Sequence, residues 1–209
     1  MTVPEGSSPR KVVGVAGKCC AGKDVVTQWL LDRGWSEINV DAIGHEALAA
    51  RHTEIVAAFG PDILGDGLTV DRRKLGQRVF ADRDDRHRLE AIVHPWMRQR
   101  VAEIVTEFRN SGDTTAAAGL VINAALLFYM KMDHLCDVVL LVRAPLRERL
   151  RRALRRDDLP LGQIVRRLWS QRRLNTQAYR SPAETITVDN GQSLEALYRR
   201  LSEIEAFHG

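Results

Sequence analysis

A valine-rich run, Lys11 to Ala16, leads directly into Gly17-Lys18-Cys19-Cys20-Ala21-Gly22-Lys23-Asp24, and an amphipathic stretch follows at once. The run is short, apolar and closed by glycine, so it reads as a strand buried within a parallel sheet. Asp24 to Asp32 carries Val25, Val26, Trp29 and Leu30 at helical spacing, and Gly34 stops it. The order strand, glycine-bracketed loop, helix leaves few folds open. In a G-x-x-x-x-G-K loop the backbone N–H groups turn inward around an anion, and the helix behind presents its positive end to the same anion. Lys23 would reach the outer phosphates of a nucleotide, where its charge suits a migrating phosphoryl group. Gly17, Lys18, Cys19, Cys20, Ala21, Gly22, Lys23, Asp24 and Val25 are therefore the expected nucleotide-binding segment.

Asp24 stands where such loops carry Ser or Thr as a magnesium ligand. A carboxylate is a harder oxygen donor still, and a helix dipole favours it at this position, so Asp24 is the expected metal ligand. It also brings negative charge close to the phosphates, the mark of a degenerate loop in a non-catalytic relative. Cys19 and Cys20 read as small fillers rather than nucleophiles.

Ser36 to Val40 makes a second short strand, which completes a βαβ opening. From Ile43 to roughly Asn110 the pattern is mostly helical, with breaks at Gly60-Pro61 and Gly65-Asp66-Gly67 and an N-cap at Asp71. Strand character returns at Ala116 to Ile122, at Asp137 to Val142 and at Thr185 to Val188; Ser193 to Phe207 reads as a closing amphipathic helix. Alternating strands and helices predict a doubly wound parallel α/β sheet of the P-loop type with one helical insertion. The expected division is a flexible tail over 1–10, a nucleotide core over 11–42 and 115–209, and a helical acceptor lobe over 43–114. A lid is expected over about 145–180.

Between Arg143 and Arg180 there are twelve arginines and no lysine, against Glu148, Asp157 and Asp158. Arginine grips phosphate oxygens with two parallel bonds, so this stretch suits a nucleotide lid; a solvated helix face or a polynucleotide patch would look the same. No run of about 18 apolar residues occurs, and Met1 to Arg10 lacks an apolar signal core, so no membrane partner is expected. Three cysteines without metal or disulfide spacing fit a cytoplasmic chain.

Beyond the loop, several segments occur in a telling order. They are Asn39-Val40-Asp41-Ala42-Ile43-Gly44, then Phe59-Gly60, Ile63-Leu64, Asp66-Gly67, Asp71-Arg72, Val79-Phe80, Leu89-Glu90, His94-Pro95 and Arg98. Later come Ile122 to Phe128, Arg156-Asp157, Gln171 and Val188-Asp189-Asn190-Gly191. From Val12 to about Gly191 the chain resembles the dephospho-CoA kinase family, whose members read D-A-D-x-I-A, then F-G-x-x-I-L…D-G…D-R…V-F…L-E-x-I-x-H-P-x-x-R. The resemblance implies transfer of the ATP γ-phosphate to the ribose 3′-hydroxyl of dephospho-CoA, with ATP and Mg²⁺ bound at the loop. Departures fall at Asp24, at Asn39 and Asn123 where the family has Asp, at Ala125 for Pro and at Tyr129 for Glu.

What the resemblance implies for residues can be set beside their plainer uses. Asp41 corresponds to the family's base and would accept the attacking hydroxyl's proton; capping a helix from Ile43 would need only its oxygen. Arg98 would grip substrate phosphates or form a surface ion pair. His94, which Pro95 is expected to push out of helical geometry, serves as a buried structural histidine or a substrate contact. Asn123 lies at the acceptor site, and Asn190 near the adenine. Arg156 would touch the transferring phosphate, with Arg167 next in line. Another nucleoside or nucleotide kinase, or a non-catalytic nucleotide- or RNA-binding relative, are the alternative readings.

Overall fold

In the computed structural model the described residues are 10–111, 117–156 and 180–204. They fall into two compact units, one of residues 39–104 and one formed by the chain on either side.

The flanking unit is built on a five-stranded sheet. Its strands are β1 (Val12–Gly17), β2 (Ser36–Asn39), β3 (Leu120–Asn123), β4 (Val138–Arg143) and β5 (Glu184–Asp189), in the order β2-β3-β1-β4-β5. β1 pairs in parallel with β3 and β4, and β4 in parallel with β5. All six residues of β1 are buried, as the unbroken apolar run demands of a central strand. Helices α1 (Lys23–Leu31) and α7 (Leu194–Ser202) supply Val26, Trp29, Leu30, Leu197 and Leu201 to the same core as Val13, Val15, Leu140 and Val142. Ser193 caps α7 by accepting from the Ala196 N–H at 3.2 Å. β3 starts later than the apolar run beginning at Ala116 suggests. Ala118 and Gly119 already bond to Gly34 and Ser36, ahead of and at the start of β2, through Ala118 N to Gly34 O and Ser36 N to Gly119 O, both 2.9 Å.

The 39–104 unit is helical, comprising α2 (Val40–Ala50), α3 (His52–Phe59), α4 (Arg72–Ala81) and most of α5 (Arg83–Asn110). Ile43, Ala47, Ile55, Phe59, Leu75 and Met97 are buried in it. Two short 3-10 turns, Pro61–Ile63 and Asp66–Leu68, fall at the glycine-rich breaks. Asp71 caps α4 as expected, its Oδ1 accepting from the Arg73 and Lys74 N–H groups at 2.8 and 3.2 Å. Arg78 ties this helix back to α3, donating to the Phe59 carbonyl at 2.6 Å.

Two local expectations are corrected. α2 begins at Val40, not Ile43, because the Asn39 side chain accepts from the Ala42 N–H at 3.1 Å and starts the helix three residues earlier. Asn39 is thus the cap, and Asp41 lies exposed in the first turn. His94 is also helical: α5 runs through Pro95. A proline inside a helix costs about 3 kcal/mol. Here Val93, Met97 and Val101, buried at four-residue spacing around it, hold the helix together.

Candidate active site: the glycine loop and its supports

β1 ends on Gly17, and a Cβ there would stand 2.7 Å from the Val142 carbonyl oxygen and 3.2 Å from Lys23 Cγ. Five residues on, Gly22 precedes α1 with φ 96° and ψ 31°, in the left-handed region, and a Cβ on it would land on Asn190 Nδ2. The spacing of the two glycines is therefore forced by β4 on one side and residue 190 on the other. Cys20 between them also has a positive φ, 59°.

Four carbonyls of this loop are engaged by protein groups. Lys18 O accepts from Ala21 N at 3.0 Å, and Gly22 O from Val26 N at 3.4 Å. Cys19 O accepts from Arg149 Nε at 2.8 Å. Ala21 O accepts from Asn190 Nδ2 at 2.9 Å and from Arg152 Nη1 at 3.2 Å. In a planar trans peptide the N–H lies opposite its carbonyl. Holding the Cys19 and Ala21 oxygens toward α6 (Leu146–Arg156) and Asn190 therefore turns the Cys20 and Gly22 N–H groups to the other side. That is the arrangement an anion-binding loop needs. Positive charge reinforces it: Lys18 is held below its ordinary value first by burial, then by the guanidiniums of Arg149 and Arg143.

Arg149 and Arg152, at α6, were not singled out in the sequence, where they stand among ten other arginines. Arg149 is 6 % exposed; Arg152 also donates to the Asn190 carbonyl at 2.8 Å. Asn190, 2 % exposed, is brought to the loop as a buried support for Ala21. Arg156 is the last residue of α6, and its side chain lies outside the described residues, as do Arg167 and Gln171.

At the helix side of the loop, Asn123, the last residue of β3, donates from Nδ2 to Asp24 Oδ1 at 3.4 Å and to Glu37 Oε1 at 2.9 Å. Glu37 is a second carboxylate that the sequence reading passed over; its only signal is an acidic residue inside a short strand.

In the 39–104 unit, Asp41 and Arg98 are exposed and His94 is half-buried. Burial depresses the His94 basicity and Arg98 adds to that, while Glu90 opposes it. A cleft of about 320 Å³ in this unit is lined by Ala50, Arg51, Trp96, Gln99, Arg100 and Glu103, and so by none of the acceptor-site candidates.

Comparison with known proteins joins these features. Residues 11–195 match the dephospho-CoA kinase family. A dephospho-CoA kinase of Geobacter sulfurreducens is 34% identical over 198 residues, covering 93% of this chain and 97% of its own. A solved Thermus thermophilus structure superposes with a TM-score of 0.73 at 28% identity, over 93% of this chain and 96% of that one. The fold is also that of a Campylobacter jejuni dephospho-CoA kinase, with a TM-score of 0.61 at 21% identity over 97% and 100% of the two chains.

Proposed function

Because the chain belongs to the dephospho-CoA kinase family, we propose that the Gly17–Asp24 loop delivers the γ-phosphoryl group of ATP to the ribose 3′-hydroxyl of dephospho-CoA, giving CoA and ADP. The observation that carries this reading is the set of loop carbonyls tied toward Arg149, Arg152 and Asn190, which turns amide N–H groups toward a phosphate chain.

Lys23 neutralises charge on the outer phosphates, and Arg156 does so from the lid side. Asp41 takes the proton of the 3′-hydroxyl as its oxygen bonds to the γ-phosphorus; the bond from that phosphorus to the β–γ bridging oxygen breaks, and ADP leaves. The 39–104 unit is the acceptor lobe, with Arg98 binding substrate phosphate and His94 and Asn123 shaping the acceptor site.

Hard oxygen donors suit Mg²⁺, and Asp24 and Glu37 supply two carboxylates joined by the Asn123 amide nitrogen. The two carboxylates would hold the ion, directly or through water, with Asn123 fixing their spacing. When bound, the ion would supply positive charge to the phosphate chain. Two carboxylates here stand in for the acidic groups that the family carries where this chain has Asn39 and Asn123.

One assay tests the proposal: ATP consumption measured with dephospho-CoA, adenosine, nucleoside monophosphates or water as acceptor. Dephospho-CoA should stimulate turnover most. A nucleoside monophosphate that outperforms it by about tenfold, a difference of 1.4 kcal/mol in barrier, would overturn the acceptor assignment.

A further inference from the structure

Arg149 stands out among the groups behind the loop. It comes from α6, 130 residues downstream of the loop position it touches, and its side chain is almost wholly enclosed. Nε–H donates to the Cys19 carbonyl at 2.8 Å, while Nη2, also buried, finds no acceptor among the described residues. Burial depresses its basicity; the Cys19 and Cys20 thiols lie beside it, and so does the Lys18 ammonium, whose own basicity Arg149 lowers. A buried guanidinium with an idle donor is costly where the neighbouring charge is another cation and, among the described residues, no carboxylate is bonded to it. A neutral amide donor would suffice to hold one carbonyl. The charge therefore calls for a second use, and an anion arriving on the loop supplies it.

We propose that Arg149 is a positioning residue for phosphoryl transfer: it fixes the Cys19 peptide so that Cys20 N–H faces the nucleotide's β-phosphate, and its charge is the fixed counter-charge behind that phosphate. Arg152 and Asn190 do the equivalent for the Ala21 peptide, and Arg152 Nη2 also donates to the Asn190 carbonyl, so both Arg152 terminal nitrogens and the Asn190 amide nitrogen have partners. Arg149 is the member of the set with capacity left. The inference rests on the loop being the nucleotide site; it does not depend on which acceptor is used.

The test compares Arg149→Met, Arg149→Gln and Arg149→Lys by calorimetric titration with ADP and with AMP, which lacks the β-phosphate, alongside steady-state kinetics. Arg149→Met should weaken ADP by about tenfold or more, through loss of the fixed counter-charge and of the Cys19 peptide's orientation, and AMP by less than about twofold. KM for ATP should rise in step, with KM for dephospho-CoA unchanged. Arg149→Gln, which keeps a donor and loses the charge, should fall between Met and the parent. Equal losses for ADP and AMP, or a lowered melting temperature with unchanged ADP affinity, would show a packing role only and overturn the proposal. If the Met variant does not fold, the Gln and Lys variants give the same ADP-to-AMP comparison. A parent protein that binds ADP yet ignores dephospho-CoA would overturn the acceptor reading alone and leave the Arg149 comparison intact.

Discussion

Asp41 and Asp24 carry the sharpest consequences at the scale of single residues. With Asn39 as the cap of α2, Asp41 is released from the structural duty that its position suggests, so Asp41→Asn tests chemistry with little structural cost. Asparagine cannot accept a proton at neutral pH, and kcat should fall by about 10²–10⁴-fold while ATP affinity holds. Near-parental turnover would assign the proton to water or a phosphate oxygen instead. Asp24→Ala should raise the magnesium concentration needed for half-maximal rate, and more so when combined with Glu37→Gln, because Asn123 links the two carboxylates. An unchanged magnesium dependence in both variants would reduce Asp24 to a helix-start residue. Residues such as Gly17, Gly22 and Lys23 were legible in the sequence because their signal is local spacing. Glu37, Arg149 and Arg152 were not, because each acquires its partner across 86 or more positions of chain.

At the scale of elements, the sequence pattern located the strands of the described residues to within a few residues: β1, β3 and β4 are short buried apolar runs, while β2 and β5 bury only Ile38 and Val188 and were marked by the alternation of strands and helices. Caps were legible where the capping side chain stands just outside a clear stripe, as at Asp71 and Ser193. They were misread at α2, where Asn39 and Asp41 compete and only geometry decides. Asn39→Ala should accordingly cost about 1 kcal/mol of stability, read as a lower denaturant midpoint, and Asp41→Ala much less. The opposite ranking would restore Asp41 as the cap. Pro95 was misread for a different reason: the local preference against helix is outweighed by burial of Val93, Met97 and Val101 on the same face.

For the whole molecule, stability should depend on pH through Cys136, buried just ahead of β4 with its thiol toward the Met132 carbonyl. Burial first, then Asp133 and Asp137, push its thiol from 9.0 up to about 12, against a smaller opposing effect of Arg109. Below pH 9 the thiol is protonated whether the chain is folded or not. Between about pH 9 and 12 the unfolded chain releases that proton while the folded one keeps it, so stability falls across this window. Cys136→Ala should be less stable at pH 8 yet lose less between pH 9 and 11, measured by denaturant titration at each pH. Parallel curves for parent and variant would remove Cys136 as a source of the slope.

The supports of the glycine loop have a consequence for the order in which the protein acquires its activity during synthesis. The motif itself leaves the ribosome with the first two dozen residues, but the side chains that orient its peptides belong to positions 149, 152 and 190. Until residue 190 has emerged, the Ala21 carbonyl lacks its Asn190 donor and has at most Arg152, and nothing fills the space that makes Gly22 necessary. Chains begin to fold from the N-terminus as they are made, at about 5–20 residues per second. Nucleotide therefore enters the life of this protein late, as a ligand that locks a nearly finished sheet. It cannot serve as a template for the opening strand and helix.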